Sequence, residues 1–393
     1  MKPNLLHSLK LVKSYVSSEN VLDYHKLGHE VDLNRAILAG MEKLWQKVWA
    51  ALEGGQIEAL WVTTPENVRY LSKFTSPEDA RVLLYKGEAT LFTDSRYTVQ
   101  AEQESTLPSF IWRQGDEWKT ELKKRLEGVR VGFEASNLTV EKLEELRSLE
   151  GTMWTSSLGL LEGLRAVKTL EEVAQIRAAC ALTDKVLAEV VPMLVPGVRE
   201  VDIALELEFR MRRAGAEGAA FNTIVASGLR SSMPHGRASA KVLEVGDLVT
   251  IDLGAKLGGY HSDMTRAYPV GEVSAELKKL YRAVKQAKKL ALEAASPGMG
   301  CRALDAVTRD YLKSEGFETE FAHSLGHGVG LAVHETPRLS FRSEESEILE
   351  VGNVVTLEPG LYVPGLGGVR LEDLVVITET GCEVLTKSAE VDL

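Results

Sequence analysis

The chain has 393 residues and a net charge of −11; 44% of its residues are hydrophobic and 26% are charged. Such a chain can bury a large core and needs no disulfide or structural metal to fold. Its acidity argues against a nucleic-acid partner, and no apolar run approaches the ~18 residues of a membrane span. We therefore expect neither a nucleic-acid partner nor a membrane partner. Three scattered cysteines and the lack of a signal-peptide pattern predict a cytoplasmic protein.

Residues 1–40 lack a clean period, and we predict an N-terminal extension there, either added upstream of a native start at Met41 or belonging to the lineage. Its three histidines are expected to face solvent: His7, His25 and His29. An amphipathic helix is predicted from Glu42 to Gly54-Gly55. The pattern then predicts the strand 57–64, a hairpin over 81–94 turning at Lys86-Gly87, a helix over 116–127 and the strand 129–135. We therefore expect a small α/β domain over residues 41–160.

A weakly periodic stretch around 151–168 predicts the boundary to a second domain over residues 161–393. Thr169 and Glu172 form a capping-box pattern that opens a long helix. Three more helices are predicted, over 200–216, 274–295 and 301–315. Strands are predicted over 221–227, 248–253, 260–268, 354–357 and 369–377. This order predicts an α+β domain with a mostly antiparallel sheet.

An internal repeat lies in the second domain. LEVGDLVTIDLG (243–254) and LEVGNVVTLEPG (349–360) share seven of twelve residues. Chance similarity between two valine-rich strands is the alternative to a duplicated half. Under duplication, each half places an acid at the same strand position, Asp252 and Glu358.

Each repeat continues into a predicted hairpin that adds a second acid, Asp263 or Glu372. Strand side chains alternate between faces, so one face is apolar and the other carries the acid. Four carboxylates around one cavity would repel each other and have raised pKa values, and two divalent cations would relieve that conflict.

The segment FAHSLGHGVGLAVHE (321–335) adds three histidines among glycines: His323, His327 and His334. Imidazole with carboxylates suits Mn²⁺, Co²⁺ or Zn²⁺ better than Ca²⁺ or Mg²⁺. We therefore predict two divalent ions per chain, most consistent with Mn²⁺, held by five residues: Asp252, Asp263, His327, Glu358 and Glu372.

Several motifs in order resemble the M24 "pita-bread" metallopeptidases, most closely the Xaa-Pro branch of prolidase and aminopeptidase P. They are PHGRAS, TIDLGAKLGGYHSDMTR, HSLGHGVGLAVHE, TLEPGLYV and GGVRLED, and PENVRYLSKFTSPEDARVLL resembles the creatinase-type N-terminal domain. The resemblance implies a pita-bread domain with pseudo-twofold α-β halves behind a creatinase-type α/β domain. It also implies a homodimer that cleaves the bond between an N-terminal residue and proline.

The resemblance also assigns roles to matching residues. Asp263, His327 and Glu358 would hold one metal, Asp252 the other, and Asp263 and Glu372 would bridge both. Glu358 would shuttle the proton, and His235 and His334 would donate hydrogen bonds to the substrate. His323 and Arg370 match further groups of the substrate pocket.

Other functions stay open. A metal-free creatinase-like enzyme would lack the five predicted ligands, which are all present. Methionine aminopeptidase shares the fold, usually without so large an N-terminal domain. A non-catalytic binding module of the same fold is a third alternative. Within the Xaa-Pro branch, the sequence does not distinguish a dipeptidase from an aminopeptidase P that acts on longer peptides.

Overall fold

The computed structural model describes residues 33–393, with side chains from Leu44 onward. Most of the predicted extension therefore lies outside the described residues, and so do all three of its histidines. The chain divides into two compact units at Leu164/Arg165. No helix among the described residues has the length and apolar character needed to cross a membrane.

The first unit contains one mixed six-stranded sheet of order β4-β3-β2-β1-β5-β6. Its strands are β1 (Ala59–Val62), β2 (Ala80–Tyr85), β3 (Glu88–Asp94), β4 (Ser109–Trp112), β5 (Arg130–Glu134) and β6 (Met153–Ser157). Its helices are α1 (Leu33–Gly54), α2 (Pro65–Ser72), α3 (Thr98–Glu104), α4 (Glu117–Leu126) and α5 (Val140–Arg147), and α6 (Leu160–Ala166) runs across the boundary.

The hairpin β2–β3 turns at Lys86-Gly87, as predicted, because both residues adopt positive φ, as a tight two-residue turn requires. The predicted start of α1 at Glu42 was wrong, since the helix begins at Leu33 and runs through Met41. Residues 33–41 are LNRAILAGM, which is rich in helix-forming residues although it lacks a regular apolar period.

The second unit consists of two halves, each with two helices followed by strands. The first half contains α7 (Leu170–Val190), α8 (Glu200–Arg213), β7 (Gly218–Ala219), β8 (Ile224–Ser227), β9 (Leu248–Leu253), β10 (Ala255–Leu257), β11 (Tyr260–His261) and β12 (Met264–Pro269). The second contains α9 (Ala275–Ala294), α10 (Cys301–Ser314), β13 (Gly326–Gly328), β14 (Glu335–Leu339), β15 (Val354–Leu357), β16 (Gly360–Val363), β17 (Gly367–Arg370), β18 (Asp373–Thr378) and β19 (Gly381–Val384).

The strand order repeats between the halves. In the first half β9 lies between β8 and β12, and in the second half β15 lies between β13 and β18. All strand pairs among the described residues of this unit are antiparallel. The predicted α+β class is confirmed, with an α/β unit ahead of two halves that repeat the same order of helices and strands.

The apolar strand faces pack against the helices of their own half. Val249 and Ile251 of β9 belong to a core with Leu187 of α7 and Leu207 of α8. The second core joins β15 and β18 to α9 and α10, and its members include Val355, Leu357, Val375, Val284 and Leu304. The capping box predicted at the start of α7 is present, with Thr169 and Glu172 bonding to each other's backbone N–H groups.

Two strands that were predicted to be continuous are broken. The strand predicted over 260–268 divides into β11 and β12, with Asp263 in the gap, and the one over 369–377 divides into β17 and β18, with Glu372 in the gap. The backbone there leaves the regular ladder, and the Glu372 N–H donates to the Thr265 carbonyl at 3.1 Å. Each predicted acid of the returning strand therefore lies just before the strand resumes.

Candidate metal centre

Three of the predicted ligands form a compact group. Asp263, His327 and Glu372 each offer one ligand atom, and these atoms lie within 4.8 Å of one another. The Nε2 atom of His327 is 3.7 Å from Asp263 Oδ2 and 3.5 Å from Glu358 Oε1. The structure thus brings four of the five predicted donors together.

His327 is oriented by its own strand, β13, and by the neighbouring strand β15. Its backbone N–H donates to Thr356 Oγ1 at 3.0 Å, and its ring Nδ1 lies 3.1 Å from the Gly328 carbonyl. A proton on Nδ1 serves that carbonyl and leaves the lone pair of Nε2 directed at the acids, which is the tautomer a metal needs.

The glycines beside His327 permit close backbone approach. A Cβ atom at Gly326 would lie 2.0 Å from the Thr356 carbonyl oxygen, and one at Gly328 would lie 2.3 Å from that of Thr336. Neither position can carry a side chain without moving main chain. The GHG sequence of β13 is therefore required by packing, and it sets the position of the imidazole.

Asp252 is the predicted ligand that lies outside the set formed by Asp263, His327, Glu372 and Glu358. Its Oδ2 accepts a hydrogen bond from Arg370 at 2.6 Å, and that ion pair is nearly buried. Its Oδ1 is also buried and has no hydrogen-bond partner among the described residues. A buried carboxylate oxygen without a partner is costly unless a cation or donor satisfies it.

The acids destabilise one another's charges. Burial raises the pKa of Asp263 well above its ordinary value, and the neighbouring charges of Glu372 and Asp252 raise it further. Burial also raises the pKa of Glu372, to about 8, with Asp252 as the next contributor. The pKa of Glu358 is raised by burial and by Glu372. Burial lowers the pKa of His327 to about 4, which keeps its ring neutral.

The other predicted residues surround this group. The ring of His334 lies 4.2 Å from that of His327, and desolvation lowers its pKa although the residue lies at an exposed edge. His235 is also exposed. It lies near Asp252. Burial raises the pKa of Asp252, Arg370 lowers it, and His235 lowers it to a smaller extent. His323 Nε2 is 3.0 Å from the hydroxyl of Tyr362.

Three supporting residues were missed from the sequence. The Thr265 hydroxyl donates to Glu372 at 2.6 Å, the Thr356 hydroxyl contacts Glu358 at 3.4 Å, and the Tyr362 hydroxyl accepts from Arg370 at 2.8 Å. Thr265 and Thr356 each lie two residues from a predicted acid, so strand alternation could have identified them. Tyr362 is on a separate strand, β16, and had no comparable signal.

The donor set fits divalent cations. It combines one neutral imidazole with crowded carboxylates whose pKa values are raised, and one buried carboxylate oxygen lacks a partner. Mixed nitrogen and oxygen donors of this kind suit Mn²⁺, Co²⁺ or Zn²⁺.

The fold and this site together define a metallopeptidase. The model of metallopeptidase family M24 matches residues 174–379, and that of the creatinase/prolidase N-terminal domain matches residues 45–167. The chain belongs to family M24, and membership of this family implies divalent metal ions.

Several relatives with assigned names are Xaa-Pro peptidases. The Xaa-Pro dipeptidase of Pyrococcus furiosus is 40% identical over 349 residues, which cover 88% of this chain and 99% of that protein. The solved Xaa-Pro dipeptidase from Bacillus anthracis is 38% identical with a TM-score of 0.85, covering 89% of this chain and 99% of that one. The X-Pro aminopeptidase from Thermotoga maritima is 36% identical with a TM-score of 0.79, covering 85% and 97%.

Proposed function

We propose that this protein is an Xaa-Pro dipeptidase that hydrolyses the bond between an N-terminal residue and proline. One observation carries the proposal. Asp263, His327 and Glu372 converge within 4.8 Å in a chain that aligns with 99% of a named Xaa-Pro dipeptidase.

In this proposal, Asp263, His327 and Glu358 would hold one divalent cation and Asp252 a second, and Asp263 and Glu372 would contribute to both. Mn²⁺ is our first choice and Co²⁺ or Zn²⁺ the alternatives. When bound, the cations would lower the pKa of the water nucleophile and polarise the scissile carbonyl.

Glu358 is the proposed proton shuttle. Its Oε1 lies 3.5 Å from the Nε2 atom of His327, within the group that would hold the cation and its water nucleophile. A proton held there can be delivered to the leaving imino nitrogen of proline, which must gain one when the bond breaks.

His334 and His235 are the proposed hydrogen-bond donors to the substrate. His334 has a lowered pKa because of desolvation, so its neutral ring can donate an N–H to the developing oxyanion. Arg370 and His323 meet at the Tyr362 hydroxyl, and we propose that they shape the pocket that receives the substrate. Proline suits such a pocket because its nitrogen carries no N–H and its ring fixes φ.

Aminopeptidase P activity is the second candidate, because a solved X-Pro aminopeptidase is nearly as similar as the dipeptidases. The test is a substrate panel with added Mn²⁺, comparing Ala-Pro and Leu-Pro with Ala-Pro-Ala, and Ala-Gly as the control without proline. We expect cleavage of the two proline dipeptides only. Cleavage of Ala-Pro-Ala would assign aminopeptidase P, and no cleavage by a protein that binds Mn²⁺ would favour a binding module.

We further propose that the protein is a cytoplasmic homodimer. Each chain would contain an N-terminal domain of residues 41–160, a catalytic domain of residues 161–393 and an extension of residues 1–40. The resemblance to the Xaa-Pro branch supports the dimer. Light scattering coupled to gel filtration measures the mass of the full chain and of a chain beginning at Met41. Because helix α1 spans Met41, the shortened chain lacks the first turns of that helix. A dimer in both cases would support the proposal, and a monomeric full chain would contradict it.

A further inference from the structure

Glu372 is held almost entirely by two residues of the opposite half. Its N–H donates to the Thr265 carbonyl at 3.1 Å, and its side chain accepts from the Thr265 hydroxyl at 2.6 Å. Its carbonyl accepts from the guanidinium of Arg266, whose same nitrogen also donates to the Thr265 carbonyl at 3.0 Å. Glu372 lies in the gap between β17 and β18, where no ladder partner is available. A buried carbonyl needs a donor, and Arg266 supplies it.

The charge of Arg266 is compensated within a buried four-residue network. Arg266 donates to Asp373 Oδ1 at 2.7 Å, and Lys288 of α9 contacts the other oxygen of Asp373. Lys288 also contacts Glu390. The side chains of Arg266, Asp373 and Lys288 are each at most 7% exposed, and that of Glu390 is 15% exposed. Two buried cations and two anions therefore balance in a place where an unpaired charge would be costly, and the more exposed Lys285 approaches Glu390 only at 4.0 Å.

The C-terminal segment 388–393 completes this network. Its Ser388 carbonyl accepts from Arg266 Nε at 2.8 Å, and its Glu390 supplies the second anion. The segment is anchored from the side of α7 as well, because Asp184 accepts the N–H and the hydroxyl of Ser388. Contacts therefore run from the end of the chain through Arg266 to the main chain of Glu372.

We propose that Arg266 is a positioning residue for Glu372 and that the C-terminal segment holds Arg266 in place for that role. This inference rests on the proposed function, in which Glu372 contacts both cations. Partners behind a ligand fix its orientation, and losing one typically costs ~10- to 100-fold in metal affinity or activity.

The test compares Arg266→Lys and Glu390→Gln with Asp392→Asn. Lysine keeps the charge, but a single ammonium group cannot donate to three main-chain carbonyls and the Asp373 carboxylate together. The three carbonyls are those of Thr265, Glu372 and Ser388. Asp392 is the matched control in the same segment, since its side chain is 99% exposed and its partner Lys285 approaches the network only at 4.0 Å from Glu390. The first readout is hydrogen exchange of the metal-free proteins across residues 264–267 and 371–374. The second is Mn²⁺ affinity by calorimetry, and the third is kcat and KM for Ala-Pro.

We expect Arg266→Lys to speed exchange in both segments about 10-fold and to weaken Mn²⁺ binding ~10- to 100-fold. We expect kcat to fall while KM changes little, with smaller effects of the same kind in Glu390→Gln and none in Asp392→Asn. Unchanged exchange and Mn²⁺ affinity in a folded Arg266→Lys protein would overturn the inference, even if its melting temperature fell. If Arg266→Lys does not fold, the same readouts in Glu390→Gln decide the question. A wild-type protein that binds no Mn²⁺ would instead refute the proposed function, and the exchange readout separates the two failures.

Discussion

The two halves of the second unit share a strand order but contribute different groups to the site. The strands β8 and β13 hold equivalent places beside the central strands β9 and β15. β8 (Ile224–Ser227) contains no histidine or acidic residue, whereas β13 carries His327. Two equivalent threonines show the consequence. Thr356 Oγ1 accepts the His327 N–H, whereas Thr250 Oγ1 is buried without a hydrogen-bond partner in the described part of the chain. Duplication thus supplies acids in both halves, and the imidazole comes from one.

An arginine from each half also contacts the acid region of the other. Arg370 of the second half pairs with Asp252 of the first, and Arg266 of the first bonds to the Glu372 carbonyl of the second. The acids are therefore fully positioned only when both halves are folded and in contact. Variants that remove one member of an equivalent pair can test this division of labour.

The largest effect is expected for Asp263→Asn, because Asp263 is the first-half acid within the compact group. We expect kcat/KM for Ala-Pro to fall about 10³-fold, which corresponds to about 4 kcal/mol. The metal-free protein should become more stable, since a repelling charge is removed. Asp310→Asn on the exposed face of α10 is the control. A loss of less than tenfold would place the reaction elsewhere.

Next comes Arg370→Met, which removes the cation that joins the halves. Asp252 would be left buried without its partner, so we expect the free energy of unfolding in EDTA to fall by about 3 kcal/mol. The matched variant is Arg177→Met, whose ion pair with Glu383 is nearly half exposed and should cost less than ~1 kcal/mol. Equal losses in the two variants, measured by urea unfolding, would show that Arg370 does not bridge the halves.

The pH dependence of stability follows from the crowded acids. The pKa of Glu372 is raised from 4.5 to about 8, so its stabilising contribution is complete below pH 4.5 and is lost as pH rises towards 8. His327 acts in the opposite sense because its pKa is lowered to about 4, but its contribution is complete above pH 6.5. We therefore expect the free energy of unfolding in EDTA to fall by about 2 kcal/mol between pH 6.5 and 8.

Added Mn²⁺ should remove that decline, because cations take the place of the protons on the acids. Urea unfolding at four pH values, with EDTA or Mn²⁺, measures both curves. Stability in EDTA that rises with pH over this window would contradict the electrostatic account.

The smallest effect separates the two threonines. Thr356→Val leaves the His327 N–H without its acceptor and should cost about 1 kcal/mol or slightly more. Thr250→Val removes a hydroxyl that has no partner, so it should be neutral within about 0.5 kcal/mol or stabilising. Similar losses of unfolding free energy in the two variants would contradict the different roles assigned to the two threonines.

Much of the second unit could be predicted from the sequence, because its helices and its strands β9 and β15 have strong local patterns. The capping box at Thr169 and the repeat that places Asp252 and Glu358 are also local signals. The breaks at Asp263 and Glu372 are not. They depend on backbone bonds to distant segments, such as Glu372 to Thr265, which a strand pattern does not reveal.

In the first unit, β4 and β6 were missed because their burial does not follow a strand alternation. Ser109–Trp112 and Met153–Ser157 are mostly partly buried, so the apolar period that predicts a strand is weak. Within the site, the five ligand residues were expected to lie together, yet the pairing of Asp252 with Arg370 was not expected. That pairing joins residues 118 positions apart and is set by how the two halves pack.

The most direct test of the central claim is a crystal of the protein grown with Mn²⁺ and measured at the manganese absorption edge. The account predicts two anomalous peaks per chain, both bordered by Asp263 and Glu372, one near His327 and the other near Asp252. Peaks only at other places on the protein, or none in a crystal whose protein cleaves Ala-Pro, would contradict it.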